Sequence, residues 1–325
     1  MRVLLIGGAG YIGSALCHRL LDRGHQAVVY DDLSTGFREA IPAGVTFVEG
    51  DTGNAALLTQ TIKTNSVDAA VHLAAFVRVE ESVAQPAKYY ANNTVKALTV
   101  FDTLARAGVR DVVFSSTAAV YGAAEHNPIA EDAPLVPVNP YGASKLASEF
   151  ILHDLAAAHG LHATILRYFN VAGADTSLRT GQRTKEATHL IKVAAEVATG
   201  RRPALQIFGD DYPTCDGTCV RDYIHVTDLA DAHLSALMKH GAAGETRVYN
   251  CGYGTGHSVK QVVAMFNEVL GRTLPTQIRP RRAGDPPSLV CDSRKLQAEL
   301  GWRAEIGSLR AIVETALRWE ERRQR

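Results

Sequence analysis

The most constraining stretch opens the chain, where the apolar run 3–6 passes directly into Gly7-Gly8-Ala9-Gly10-Tyr11-Ile12-Gly13. A run that short and β-branched reads as a buried strand, and the residues after the glycines read as the first turn of a helix. Gly7 permits the tight turn, Gly10 lets a diphosphate approach the backbone, and Gly13 lets helix and strand pack closely. The helix start then turns free N–H groups and the positive end of its dipole toward an anion. Further apolar runs at 27–30, 45–48, 69–73, 111–114 and 163–166 alternate with helix-like stretches at 12–22, 54–63, 86–107 and 140–158. Strands buried on both faces and separated by helices specify an α/β fold with a doubly wound parallel sheet.

After about residue 171 the alternation fails. Residues 174–188 are polar and irregular, 190–199 is a helix candidate, and 210–218 is loop-rich. We expect residues 1–170 to form a dinucleotide-binding domain and 171–325 a smaller α/β lobe for the substrate, with the chain crossing between them more than once. The 34 basic residues balance 34 acidic ones, so no long-range field draws the chain to nucleic acid or to an anionic membrane. The five cysteines are odd in number and form no CxxC pair, which argues against a disulfide framework or a metal site. Four glycines interrupt the uncharged N-terminal stretch, which argues against a signal peptide. A cytoplasmic protein acting on a small molecule is the expectation.

An acidic residue at the end of the second strand completes the cofactor signal. Asp31, with Asp32 beside it, follows Val28-Val29-Tyr30. A carboxylate there accepts from the ribose hydroxyls of adenosine and repels a 2′-phosphate, which favours NAD over NADP. Asp51, after the third strand, is placed for the adenine end. A second constellation lies at Tyr141-Gly142-Ala143-Ser144-Lys145, opening a helix after Asn139-Pro140. A spacing of four puts the phenol and the ammonium on one helical face. A nearby cation is expected to lower the phenol, so that it serves as base and then as acid on a substrate hydroxyl. Thr117, ending the strand Phe114-Ser115-Ser116-Thr117, is positioned to bind the same oxygen.

Gly7-x-x-Gly10-x-x-Gly13, the hydroxyl residue after the fifth strand and Tyr141-x-x-x-Lys145 together resemble the extended short-chain dehydrogenase/reductase family, with a Rossmann-like domain. Four further phrases resemble its UDP-sugar 4-epimerases: 167–170 (RYFN), 208–214 (FGDDYPT), 221–226 (RDYIHV) and 280–285 (PRRAGD). The resemblance implies that Thr117, Tyr141 and Lys145 are catalytic. It implies that Tyr11, Ile12, Asp31, Asp32, Leu33, Ser34, Thr35, Gly36, Asp51, Thr52, Leu73, Ala74, Ala75, Val77, Asn92 and Phe169 line NAD. It assigns Asn170, His189, Leu190, Gln206, Phe208, Arg221, Arg282 and Asp285 to the nucleotide sugar. Arg221 and Arg282 offer forked donors that suit a diphosphate. His225, beside Arg221, is assigned to structure.

Val77 stands where some relatives carry Lys, and Thr117 where others carry Ser. Leu289 occupies a position where small residues admit an N-acetyl group and a large aromatic excludes it; leucine is intermediate. The activity implied is NAD-dependent interconversion of UDP-glucose and UDP-galactose, by a homodimer joined through 86–107 and 140–158. Competing readings are 4-epimerisation of another UDP-sugar (UDP-GlcNAc or a UDP-pentose), a nucleotide-sugar dehydratase, and an NAD-binding non-enzyme. The dehydratase requires an Asp-Glu pair where Ala118-Ala119 follow Thr117.

Overall fold

The computed structural model describes residues 1–124, 126–184, 187–239, 241–282 and 285–324. The first half runs β1 (Arg2–Ile6), α1 (Tyr11–Asp22), β2 (Gln26–Asp31), β3 (Thr46–Glu49), α2 (Ala55–Asn65), β4 (Ala69–His72), α3 (Val79–Ala84) and α4 (Pro86–Tyr89). A π-helical turn, Tyr90–Val95, joins α4 to α5 (Lys96–Arg106), so the single helix expected over 86–107 has a widened turn inside it. Then come β5 (Asp111–Thr117), α6 (Pro140–His159) and β6 (His162–Tyr168). The second half contains β7 (Asn170–Ala172), α7 (Leu190–Ala198), β8 (Leu205–Phe208), β9 (Val220–His225), α8 (Val226–Met238) and β10 (Thr246–Cys251). It ends with β11 (Gly256–Ser258), α9 (Val259–Leu270), β12 (Thr276–Arg279), β13 (Ser288–Leu289), α10 (Arg294–Leu300) and α11 (Leu309–Arg322).

Seven strands form one parallel sheet in the order β3-β2-β1-β4-β5-β6-β10. Its strands are apolar throughout because both faces are covered. Leu16 and Leu20 of α1, Leu229 and Leu234 of α8, and Trp302 pack on one face. Leu58 of α2, Phe101 and Leu104 of α5, and Leu152 of α6 pack on the other. The strand order turns back between β1 and β4, and that reversal opens a crevice beyond their C-terminal ends, where open α/β sheets bind ligands. The seventh strand, β10, pairs with β6 although the chain has by then passed through β7, β8 and β9.

A second sheet is built on β9, which pairs with β7 and β13 in parallel and with β11 antiparallel. A separate parallel pair, β8 with β12, lies beside it. Ile191 of α7, Phe266 of α9, and Ile312 and Val313 of α11 fill its core. Helix α9 is held at its start by a reciprocal capping box between Ser258 and Gln261, and ends at Gly271 in the left-handed conformation; such a cap contributes about 1 kcal/mol. Among the described residues no helix is long and apolar enough to cross a membrane, and no cluster of His, Cys, Asp or Glu is arranged to hold a metal. All five cysteines are free.

Candidate active site

The glycine turn is as tight as the sequence implies. Gly7 has φ +88°, and a Cβ there would lie 2.6 Å from the Ala74 nitrogen; a Cβ on Gly13 would lie 2.4 Å from the Gly7 carbonyl. Ala74 and Leu73 both donate to the Ile6 carbonyl (3.0 and 2.8 Å), which draws the end of β4 against the turn. Gly10 faces the other way, and its missing Cβ would meet nothing nearer than the Gly7 carbonyl at 3.3 Å. No side chain caps α1 and no acidic residue occupies its first turn, so its first N–H groups are left for an anion. These residues fit the diphosphate of NAD.

Asp31 is buried at the end of β2 and accepts from the Ala9 (2.9 Å) and Leu33 (2.8 Å) amides, one on each oxygen. Each oxygen keeps a lone pair for a ribose hydroxyl. Burial raises this carboxyl above its ordinary value, against the pull of the two amides. Asp32 instead closes a turn onto Ser34, accepting from both its amide (2.9 Å) and its hydroxyl (2.6 Å). The loop Leu33-Ser34-Thr35-Gly36 then folds back, and the Phe37 amide donates to the Ala9 carbonyl (3.0 Å). Asp51 accepts from the Gly53 amide (2.7 Å) and pairs with Lys96, with Thr52 half-buried beside it. Val77 is nearly half exposed, at 47%.

Asn139 caps α6 by accepting from Gly142 (2.9 Å), and Pro140 takes the first helical position. A Cβ on Gly142 would lie 2.5 Å from the Ala119 carbonyl. That close approach seats α6 on the turn after β5 and brings Tyr141 to Thr117, whose hydroxyl also accepts from the Ala119 amide (3.1 Å). Lys145 is buried one turn on, its Nζ 4.2 Å from the centre of the Phe114 ring.

The expected lowering of the phenol is not what the protein alone produces. Burial raises Tyr141 above its ordinary value, and the Thr117 hydroxyl offsets only part of this. Burial likewise pushes the Lys145 ammonium down to about 7, against a smaller upward pull from Glu149. In so dry a pocket both charged forms are disfavoured, and the attraction of Lys145 for a phenolate does not reverse that.

Two supporting groups carry no local sequence signal. Glu149, four residues beyond Lys145, accepts from Arg167 (2.6 Å to Nη2) and from Ser116, and all three are buried. Arg167 also donates to the Tyr121 hydroxyl (3.0 Å), which donates to Asn250 on β10 (2.7 Å). Asn93, not the adjacent Asn92, is the buried keystone of the π-helical turn. Its amide group bonds both the N–H (2.9 Å) and the carbonyl (3.0 Å) of Phe76 and donates to the Ser144 hydroxyl (3.1 Å). Asn92 donates to Asn93 (3.1 Å). A π-turn is a common mark of a functional site, and here it turns Asn93 inward.

On the substrate side, β9 carries Arg221, whose guanidinium lies 3.7 Å from Asp285. Arg282 covers the Phe208 ring at 3.8 Å and lies 3.5 Å from Glu80 of α3, an ion pair between residues distant in sequence. Phe208 thus belongs to no apolar core cluster but forms a platform for an arginine. Leu289 sits opposite Arg221 in the β9–β13 pairing and packs against the cluster of Phe169, Ala118 and Tyr121 beside the turn after β5. Asn170 pairs with Tyr223, and Gln206 with Gln277. His189 precedes Leu190 at the start of α7 and bonds Gln182 (3.1 Å). No direct contact joins His189 or Gln206 to the arginines among the described residues; Ala283 and Gly284 of the motif at 280–285 lie outside those residues. His225 is structural, bonded to Thr315 (3.0 Å) and to the Thr227 amide (3.1 Å).

The likenesses to known proteins follow the same outline. Residues 3–252 match the NAD dependent epimerase/dehydratase family. Over 319 residues the chain is 56% identical to the UDP-glucose 4-epimerase of Azospirillum brasilense, covering 98% of this chain and 92% of that protein. The crystal structure of UDP-glucose 4-epimerase from Brucella ovis in complex with NAD is 42% identical, with a TM-score of 0.93 over 98% of this chain and 97% of that one. The enzyme from Bifidobacterium longum, in complex with NAD+ and UDP, is 35% identical, with a TM-score of 0.95 over 100% and 99%. The crevice at the strand reversal, the glycine turn and these full-length likenesses agree: the chain belongs to the NAD dependent epimerase/dehydratase family.

Proposed function

We propose that this chain interconverts UDP-glucose and UDP-galactose with bound NAD. The observation that carries the reading is the seating of Tyr141 against Thr117, through Gly142, at the C-terminal end of β5, with Lys145 buried behind it. NAD, which the glycine turn and Asp31 would hold, would supply the hydride acceptor and donor for C4 of the sugar. Tyr141 takes the proton of the 4′-hydroxyl as the hydride leaves, and gives it back to the same oxygen on the return. Thr117 orients that oxygen. Lys145 favours the phenolate, and the positive charge of bound oxidised NAD would add to it. Arg221 and Arg282 hold the diphosphate, with Asn170, His189, Leu190, Gln206, Phe208 and Asp285 around the nucleotide. This anchor lets the 4-keto sugar turn over and present its other face.

We also propose a division into a cofactor lobe and a substrate lobe near residue 170, and a homodimer. Val83 and Val95 are 63% and 60% exposed and Phe150 is 60% exposed, all on or near α3, α5 and α6. An exposed apolar face of this kind is what a second copy would cover.

The test uses purified protein with UDP-galactose, following UDP-glucose and reduced nicotinamide, beside Tyr141→Phe. Formation of UDP-glucose without accumulated NADH, lost in the variant, supports the reading. Turnover of UDP-GlcNAc alone moves the specificity and points to the pocket beside Leu289. Stoichiometric NADH, or loss of water from the sugar, overturns it.

A further inference from the structure

Among the described residues, Arg183 lines the cleft beside the glycine turn without a counter-charge. Residues 173–184 leave the second lobe and lie along α1. The Tyr11 hydroxyl donates to the Gly173 carbonyl (2.7 Å), and the Ser14 and Thr180 hydroxyls are 2.7 Å apart, both at the first turns of the helix. At its last turn Asp22 takes both arms of Arg179 (2.7 and 2.8 Å), which Asp175 also holds (2.8 Å). The strap therefore runs the length of α1 and delivers Arg183 to the cleft that Gly10, Tyr11, Ser14 and Thr35 line.

Arg183 is fixed there by aromatic faces rather than by acids. Its guanidinium lies 5.4 Å from the centre of the Trp319 ring and 6.0 Å from that of Phe37. Its Nε is buried and without a hydrogen-bond partner, and among the described residues no carboxylate lies within ion-pair distance of it. Across the cleft stands the uncapped positive end of α1. Two positive poles that face one another across a cleft favour an anion between them.

We propose that Arg183 clamps the diphosphate of the dinucleotide from the side opposite the glycine turn, so that the strap from the substrate lobe retains the cofactor. This rests on the NAD reading above. A guanidinium fork matches two phosphate oxygens, whereas a lysine supplies charge without the fork.

The test strips the protein of nucleotide and measures binding of ADP-ribose, adenosine and UDP by calorimetry, for wild type, Arg183→Met and Arg183→Lys. A thermal melt of each stripped protein checks folding. Arg183→Met is expected to weaken ADP-ribose by about ten- to a hundredfold, to leave adenosine and UDP unchanged, and to purify with less NAD. Arg183→Lys is expected to recover part of the loss and keeps the test open if the methionine variant misfolds. Unchanged ADP-ribose binding overturns the clamp, as does a loss shared equally with adenosine. A loss confined to UDP overturns it by assigning Arg183 to the substrate. A folded wild type that binds UDP but neither NAD nor ADP-ribose removes the cofactor reading itself, and the clamp with it.

Discussion

Two groups of charged side chains around the crevice are held in opposite ways. Where α6 meets β6, Glu149 and Arg167 are each only 5% exposed at the side chain and engaged with one another, with Ser116 and with Tyr121. Arg282 and Arg221 are less enclosed, at 34% and 14% exposed, and each leans on a carboxylate at 3.5 or 3.7 Å. The first arrangement fixes geometry, because removing either partner strands a charge in a dry interior. The second is exchangeable, because a weak, wet pair yields to a better anion. Proton transfer needs atoms that do not move; capture and release of a charged nucleotide needs donors that do.

The largest effect is expected where the rigid half meets the reaction. Tyr141→Phe should lower kcat by roughly 10²–10⁴-fold, with UDP affinity and bound NAD retained; steady-state kinetics beside UDP titration check it. Next, Glu149→Gln should destabilise the fold by about 3–5 kcal/mol, since Arg167 keeps its charge and loses its counter-charge and one of two acceptor oxygens. Urea denaturation measures it, and a loss under 1 kcal/mol would mean the buried network is slack.

A third test uses pH. Lys145 is held near 7 in the fold against an ordinary value of 10.5, so between those values the unfolded chain binds more protons and stability rises with pH. Relative to Lys145→Met, wild type should gain by up to about 1.4 kcal/mol per pH unit across that window. Parallel melting curves of the two proteins at pH 7 and 9 would show no divergence if the ammonium were solvated. In the less enclosed group, Arg282→Met should weaken UDP about tenfold. The smallest effect separates the two groups most sharply. Glu80→Gln frees Arg282 and should tighten UDP by roughly two- to threefold at low salt, fading as salt screens the pair; calorimetry at two ionic strengths reads it.

How much of this the sequence revealed follows the same contrast. Strands β1 to β6 are legible because a strand buried on both faces is a continuous apolar run, and the glycine turn and the Tyr141–Lys145 spacing are local signals. Helices α8, α9 and α11 and strand β10 are not singled out by such runs. β10 (Thr-Arg-Val-Tyr-Asn-Cys) is half polar and becomes a strand of the main sheet only through pairing with β6. The Glu149–Arg167 pair, the inward turn of Asn93 and the Glu80–Arg282 contact join residues distant in sequence, and no spacing rule announces them.

Strand β10 also sets the order in which the enzyme can become whole during synthesis. A ribosome that has released 170 residues has supplied six strands of the sheet, with the far edge of β6 bare. That edge, a template for wrong partners in any nascent chain, must wait through β7, β8 and β9 before its own neighbour arrives. Asn250, which ends the hydrogen-bonded line from Glu149 through Arg167 and Tyr121, arrives with it. The support behind Lys145 is therefore closed by a strand made after β7, β8 and β9, and a chain truncated before that strand has Tyr141 and Lys145 but an unfinished support for them.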